Sequence, residues 1–524
     1  MSDLAVPASP RAARRPLSKA AMVVAGVCAI LAALPLLFPL GLGFDYPNHL
    51  ARTYIVGWLH GSPALQQHYG VTFELIPDLA MDLIVPWLSH LTGIYTAGAL
   101  AVAAAMILPP LAGVWISRGL NGGQIGLLSL AGFAAAFNHS LEWGFVNYIL
   151  ASGLALFAFG LWMRMAPGLS RSLIFIPIGV ALVVSHALAF LLFGYLALLW
   201  EIASWREGRR GGMAPFVRKL VLWDGLAMAP GLALLAFATL TAPDLPQLDL
   251  PLFHLGEKMK ALTAGFQFFN APLALACFVV VAVAVAFGLR SGVLTIRRDM
   301  AFVCGGLAVL VVVIPTGIFG IWGLHVRFTA PLIILLAASV RLADDAARWR
   351  TPAAVLVAGL VAAQTLSGFI HFRHYDTAAN ALRAGLAVMP EGAKLLAVQH
   401  EDADNAVAYH GMDLAVIERR AYVPGLFTNT SWVDIQPAMA DLHLPQSTPP
   451  SPEEFAIAET LTLPASENGF WSLGYFHGWP AHWDYVLYFR PDGTDPLKSQ
   501  NLCLASEGAG FTLYQVVVTR EACA

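Results

Sequence analysis

Long apolar runs recur through the first three quarters of the chain, near 20–41, 94–116, 122–137, 146–164, 172–186, 187–203, 219–241, 271–289, 300–317, 328–342 and 352–372. A bilayer core of about 30 Å needs about 20 apolar residues per helix, so the pattern predicts about eleven transmembrane helices. The stretch 172–203 reads either as two short helices meeting near Ser185 and His186 or as one long helix. Beyond 375 the pattern changes. Polar loops alternate with strand-like runs at 394–398, 414–417, 485–489 and 511–518, and helices fit 377–388 and 452–461. The fold class expected is an α-helical polytopic membrane protein with a small C-terminal α/β extracytoplasmic domain. Its parts are a cytoplasmic tail (1–19), a transmembrane domain (20–375) with a long first outer loop (43–93), and a terminal α/β domain (376–524).

Basic residues orient the spans, because Lys and Arg accumulate in cytoplasmic connections. With the N-terminus inside and eleven crossings, the cytoplasmic segments hold eighteen Lys and Arg and the outer loops four. Reading 172–203 as one helix breaks that bias downstream, so N-in and C-out is the consistent orientation. The first run follows Arg14, Arg15 and Lys19 as a secretory signal would, but it is long for a signal core and is read as a retained helix. The outer segments are the long ones: 43–93 carries helical patterns at 47–59 and 79–91, and an amphipathic stretch at 253–269 fits the membrane interface. Chemistry is therefore expected on the outer face.

Composition agrees with this division. The 524 residues are 58% hydrophobic and 12% charged, about half the charge of an ordinary soluble protein. The net charge of −3 gives no reason to expect nucleic-acid binding. From 376 onward, however, 7 Lys and Arg stand against 18 Asp and Glu, so an acidic, water-facing module follows the apolar one. Cys28, Cys277 and Cys304 lie in apolar runs and read as packing residues. Cys503 and Cys523 lie in the tail, where an oxidising compartment would favour a disulfide between them; the other reading is two free thiols. No P-loop, dinucleotide glycine fingerprint, HExxH or nucleophile elbow is present.

The sharpest polar cluster follows the first run: Asp45, Tyr46, Pro47, Asn48, His49, Leu50, Ala51, Arg52. Pro47 suits a first helical turn. On a helix starting there, Asp45, His49 and Arg52 share a face at the outer membrane surface. A half-buried carboxylate beside cations could serve as a general base; the plainer alternative is that Asp45 caps the helix. Asp78 and Asp82 follow in the same loop. Asp82 sits among apolar residues, a costly setting without a partner, and together with Asp45 it could hold a divalent ion such as Mg or Mn. Further candidates stand at outer helix ends: His139 and Glu142, Asn147, His186, Lys258 and Lys260, His325 and Arg327. Ionisable groups at membrane depth are functional candidates because leaving them unpaired is expensive. Arg327, Lys258 or Lys260 could neutralise a lipid-linked phosphate, or each could simply snorkel at the interface.

This layout resembles the GT-C superfamily of membrane glycosyltransferases, whose members include the protein O-mannosyltransferases and the bacterial lipid A aminoarabinose transferase. The resemblance rests on the overall plan and on one short motif, Asp45-x-Pro47-x-His49-Leu50-x-Arg52, which is also similar to uncharacterised bacterial membrane proteins. It implies that Asp45, just after the first span, is a catalytic base. It implies a donor sugar carried on a polyprenyl phosphate and an outer soluble domain at the C-terminus. The expected substrate and phosphate contacts are His49, Arg52, Asp82, His139, Glu142, Lys258, His325 and Arg327. A second-loop Asp-x-Asp is missing, which bears on any metal requirement. The function expected is inverting transfer of a sugar to an extracytoplasmic acceptor (an envelope lipid, glycan or protein) at a bacterial inner membrane. A lipid-linked-substrate transporter or flippase, and a non-catalytic assembly protein, are the alternatives. A transporter would be expected to carry charges in mid-helix, whereas here they cluster at helix ends.

Overall fold

The computed structural model describes residues 18–208, 212–241, 255–318, 321–428, 431–444, 449–462 and 473–517. Most of them are helical. Among the described residues six helices are long and apolar enough to cross a membrane: Lys19–Leu37, Ile94–Leu120, Ala187–Arg206, Met213–Leu240, Ala271–Arg290 and Ala347–Leu386. Shorter apolar helices occupy Val146–Trp162, Leu169–Ser185 and Leu324–Ser339.

Two local outcomes in the membrane region follow from backbone chemistry. The stretch 172–203 is two helices, Leu169–Ser185 and Ala187–Arg206, because His186 adopts an extended backbone (φ −173°, ψ 124°) and its ring nitrogen Nδ1 accepts from the Leu188 N–H at 3.1 Å, capping the second helix. The run at 122–137 is not an α-helix. It forms a ten-residue 3-10 helix, Leu127–Ala136, which at ~2.0 Å per residue rises only ~20 Å.

After the first span, the helical patterns at 47–59 and 79–91 correspond to the helices Asp45–Trp58 and Ala80–Thr92. Between them Tyr69–Val71 pairs antiparallel with Val433–Ile435 of the tail, Gly70 opposite Asp434. The last long helix, Arg350–Leu386, has 37 residues and so spans ~55 Å at 1.5 Å per residue. That exceeds a bilayer core, and its upper part carries the tail. The division expected at 375/376 falls inside this helix, and the separate helix expected at 377–388 is its continuation.

The tail holds a four-stranded sheet in the order Leu395–Gln399, Tyr485–Phe489, Phe511–Val516, Leu502–Gly508, the first pair parallel and the others antiparallel. Strand Leu502–Gly508 was not among the strand-like runs. The run 414–417 was expected as a strand but belongs to helix Leu414–Arg419. Four buried apolar residues carry no periodicity that separates a strand from an inner helix, and here the preceding helix Asn405–Gly411 leads straight into it. One hydrophobic core runs from Leu31 and Leu34 of the first span, through Leu50 and Ile55 of the outer helix, to Leu395, Val486 and Leu513 of the tail sheet. The tail is therefore packed onto the segment 43–93 rather than tethered to it. Cys28, Cys277 and Cys304 are free thiols; Cys523, and with it the expected pairing to Cys503, lies outside the described residues.

Candidate functional site

The chain leaves the first span through Gly43 and Phe44. Phe44 has φ +50°, a left-handed conformation that a bulky residue adopts only when its surroundings impose it. Three contacts do so. The Phe44 N–H donates to the carbonyl of Ala406 at 2.9 Å, the Asp45 N–H donates to that of Trp143 at 3.2 Å, and the Phe44 ring stacks on Trp143 at 4.5 Å. A β-carbon at Gly43 would run into the Ala406 carbonyl, so glycine is required there. Asp45 is thus fixed where the first span, the 138–146 turn and the tail meet.

The Asp45 side chain is only 14% exposed. His410 of the tail stands beside it, Nε2 to Oδ1 3.9 Å. Burial pushes the Asp45 carboxyl up to about 6; His410, Arg327 and Arg52 pull against that shift, and Asp413 adds to it. His410 is fully buried and held from behind. Its Nδ1 lies 3.0 Å from Oδ2 of Asp413, and Asn48 donates to the same oxygen at 2.6 Å. Asn48 also donates to the Gly425 carbonyl and accepts from the Phe427 N–H at 3.1 Å. Asn48 Nδ2 also lies 3.2 Å from Nδ1 of His410; in the tautomer whose Nδ1 donates to the Asp413 carboxylate, Nε2 faces Asp45 without a proton.

The expected neighbours are placed differently. Arg52 turns to Asp82 and forms a two-pronged pair, Nε to Oδ1 3.1 Å and Nη2 to Oδ2 2.7 Å, both side chains fully buried. This explains how Asp82 tolerates its apolar surroundings. It does not suit an Asp45–Asp82 metal pair: both Asp82 oxygens are taken, and the cation holding them would repel a divalent ion. His49 lies edge-on to Phe427, and burial first, then Arg52, His410, His186 and Arg327, drive its pKa well down, so it is neutral.

Asp78 joins the centre instead. It has φ +76°, and Asn147 clamps the turn by donating to the Asp78 carbonyl at 2.8 Å and accepting from the Met81 N–H at 2.7 Å. His186 Nε2 lies 3.7 Å from Oδ1 of Asp78, and burial lifts the Asp78 carboxyl to about 7. Arg327 is buried, stacks over Phe145 at 4.0 Å and donates through Nη2 to the Trp322 carbonyl at 3.2 Å.

Lys258, His325, His139 and Glu142 form a neighbouring group. Lys258 donates to the Ile314 carbonyl at the end of helix Arg298–Val313. Nε2 of His325 meets the Glu257 carbonyl at 2.9 Å. Glu142 accepts from the Phe269 N–H at 3.1 Å and lies 3.6 Å from His139. Lys258 is thus occupied with backbone, unlike the free phosphate contact expected.

The centre also holds buried polar atoms without hydrogen-bond partners: Nδ1 of His49, Nη1 of Arg52, Oδ1 of Asp78, Nε of Arg327, Nε2 of His410 and Oδ1 of Asp413. Proteins rarely leave such groups unmet, so these atoms have bonding capacity left for a polar ligand. His410 and Asp413 were not among the sequence candidates. Their spacing of three on a short helical turn was visible, but nothing in the sequence ties them to a carboxylate some 365 positions earlier.

No protein-family model and no curated protein matches the chain. Among solved structures it resembles the crystal structure of ArnT from Cupriavidus metallidurans bound to undecaprenyl phosphate, with a TM-score of 0.51 at 12% identity over 95% of this chain and 98% of that one. The apo form of ArnT matches over the same extent with a TM-score of 0.48. Over nearly its whole length, this chain has the fold of ArnT.

Proposed function

We propose that the protein is a membrane glycosyltransferase that moves a sugar from a polyprenyl-phosphate donor to the hydroxyl of an extracytoplasmic acceptor, with inversion at the anomeric carbon. The observation that carries this reading is the Asp45 centre: a buried carboxylate at the mouth of the first span, within the electrostatic influence of His410, Arg327 and Arg52, among buried polar atoms that lack partners. The undecaprenyl phosphate bound to ArnT supports a lipid phosphate as the ligand that meets them. The Lys and Arg bias supports eleven crossings with the N-terminus cytoplasmic and the centre on the outer face of a bacterial inner membrane.

Each group has a task in this reading. The ionised Asp45 takes the proton of the acceptor hydroxyl as the oxygen attacks the anomeric carbon. The bond from that carbon to the phosphate oxygen breaks, and its electron pair stays with the phosphate. Arg327, with Nε free, receives that charge in a site shielded from water, where a preorganised cation is worth far more than in solution. His49, neutral and unpartnered at Nδ1, orients a sugar hydroxyl. General-base action contributes about 10²–10⁴-fold, and positioning and charge stabilisation supply the remainder.

The test is transfer of radiolabelled sugar in membranes carrying the wild type or Asp45→Asn, with a panel of polyprenyl-phosphate sugars as donors. The variant is expected to lose transfer by about 10²-fold or more while remaining folded; undiminished transfer rejects Asp45 as the base.

A further inference from the structure

His410, Asp413 and Asn48 do more than join the tail to the outer helix. We propose that the tail supplies the second half of the proton-accepting apparatus: His410, aimed by Asp413, takes over the proton that Asp45 removes from the acceptor. The inference rests on reading Asp45 as the base and adds a positioning residue from the opposite end of the chain.

The His410 ring is fully buried, and one nitrogen is fixed by Asp413 at 3.0 Å. Its other nitrogen is buried without a hydrogen-bond partner and faces Asp45 at 3.9 Å. A ring used only for packing needs no carboxylate behind it. One with a carboxylate on each side is arranged to hold a positive charge, since Asp413 stabilises the imidazolium as it forms. Asn48 shares the Asp413 oxygen at 2.6 Å and keeps that carboxylate from turning away. Phe427 and Tyr409 close around the ring edge-on, at 4.9 and 4.7 Å, and exclude water.

The step balances. The O–H bond of the acceptor breaks and its proton passes to Asp45. The Asp45 O–H then breaks as the proton moves to Nε2 of His410, leaving Asp45 ionised and His410 cationic between two carboxylates. The sugar–phosphate electron pair departs with the phosphate. The charged and titratable groups around Asp45 and His410 are Arg52, His49, Arg327, Asp413 and Tyr409.

The experiment uses the full-length purified protein in nanodiscs. A water-soluble carbodiimide with an amine traps protonated carboxyls, and peptide mass spectrometry follows the modification of Asp45 against pH. With His410 present to take the proton, Asp45 stays ionised to lower pH. In His410→Gln, modification of Asp45 is expected to persist to higher pH by about one unit, while His374→Gln leaves it unchanged. The direction is diagnostic: a merely loosened site admits water, relieves the burial of Asp45 and moves the midpoint down. A midpoint that stays put or falls overturns the proposal. Should His410→Gln not fold, His410→Asn, a shorter amide, gives the same readout. Where transfer is measurable, kcat of the variant falls about a hundredfold, the low end for a positioned proton acceptor, with KM unchanged. A moved midpoint in a protein that transfers no sugar would leave the Asp45–His410 pair standing and remove the transferase reading.

Discussion

Arg52 grips Asp82 through two parallel hydrogen bonds of 3.1 and 2.7 Å, and neither side chain reaches solvent. The pair joins the helices Asp45–Trp58 and Ala80–Thr92 and leaves one guanidinium nitrogen, Nη1, without a hydrogen-bond partner. Removing one partner strands a buried charge, at a cost of about 3–5 kcal/mol. Asp82→Asn and Arg52→Gln are therefore each expected to lower the unfolding temperature measurably in detergent, and the double variant to lower it by less than the sum of the two. Thermal unfolding of the four proteins checks this.

The acid limb of transfer should report Asp45. A general base works in its ionised form, and burial raises this carboxyl to about 6. The rate is expected to be low at pH 5, to climb through about pH 6 and to level off above it. A profile of kcat/KM between pH 4.5 and 8 decides the matter; an acid limb near pH 4, the ordinary carboxylate range, would contradict the assigned base.

Asp78 bears on stability with the opposite sign from a salt-bridged acid. Its folded-state carboxyl is raised to about 7 from an ordinary 3.8, so between those values the folded protein binds more protons than the unfolded one. Stability contributed at low pH is then lost as pH rises through that window. Asp78→Asn cannot ionise and is expected to be more stable than the wild type at pH 8, by about 2–4 kcal/mol on the usual conversion of about 1.36 kcal/mol per pKa unit. The gain should shrink at pH 5. Unfolding temperatures at the two pH values test it.

Asn48 anchors the tail. It bonds the Asp413 side chain, the Gly425 carbonyl and the Phe427 N–H, so Asn48→Ala leaves several buried groups unmet, at about 1–3 kcal/mol each. The tail is expected to loosen from the outer helix, with faster amide hydrogen exchange in residues 405–427 and little change within the membrane helices. Exchange mass spectrometry distinguishes this from general unfolding, which would speed exchange everywhere.

Much of this protein was legible in its amino-acid pattern because the information was local. Apolar runs of membrane length, the helix following Asp45, the helix carrying Asp82 and three of the tail strands depend on neighbours within a few positions. The position of Asp45 just beyond the first span singled it out as a candidate, and the apolar setting of Asp82 announced that it needed a partner. The sequence could not name that partner, since Arg52 was equally well placed to face Asp45. Nor could it distinguish a strand from a buried helix at 414–417, where four consecutive apolar residues leave no period to read.

Only the tertiary structure brought His410 and Asp413 to Asp45, drew Asp78 and His186 into the same centre, and turned Lys258 onto backbone carbonyls. Those pairings arise where the tail packs on the outer loop, through the Gly70–Asp434 strand pairing and a shared hydrophobic core. The residues concerned are hundreds of positions apart along the chain. Electrostatics acts over ångströms of space, and sequence separation carries almost none of that distance.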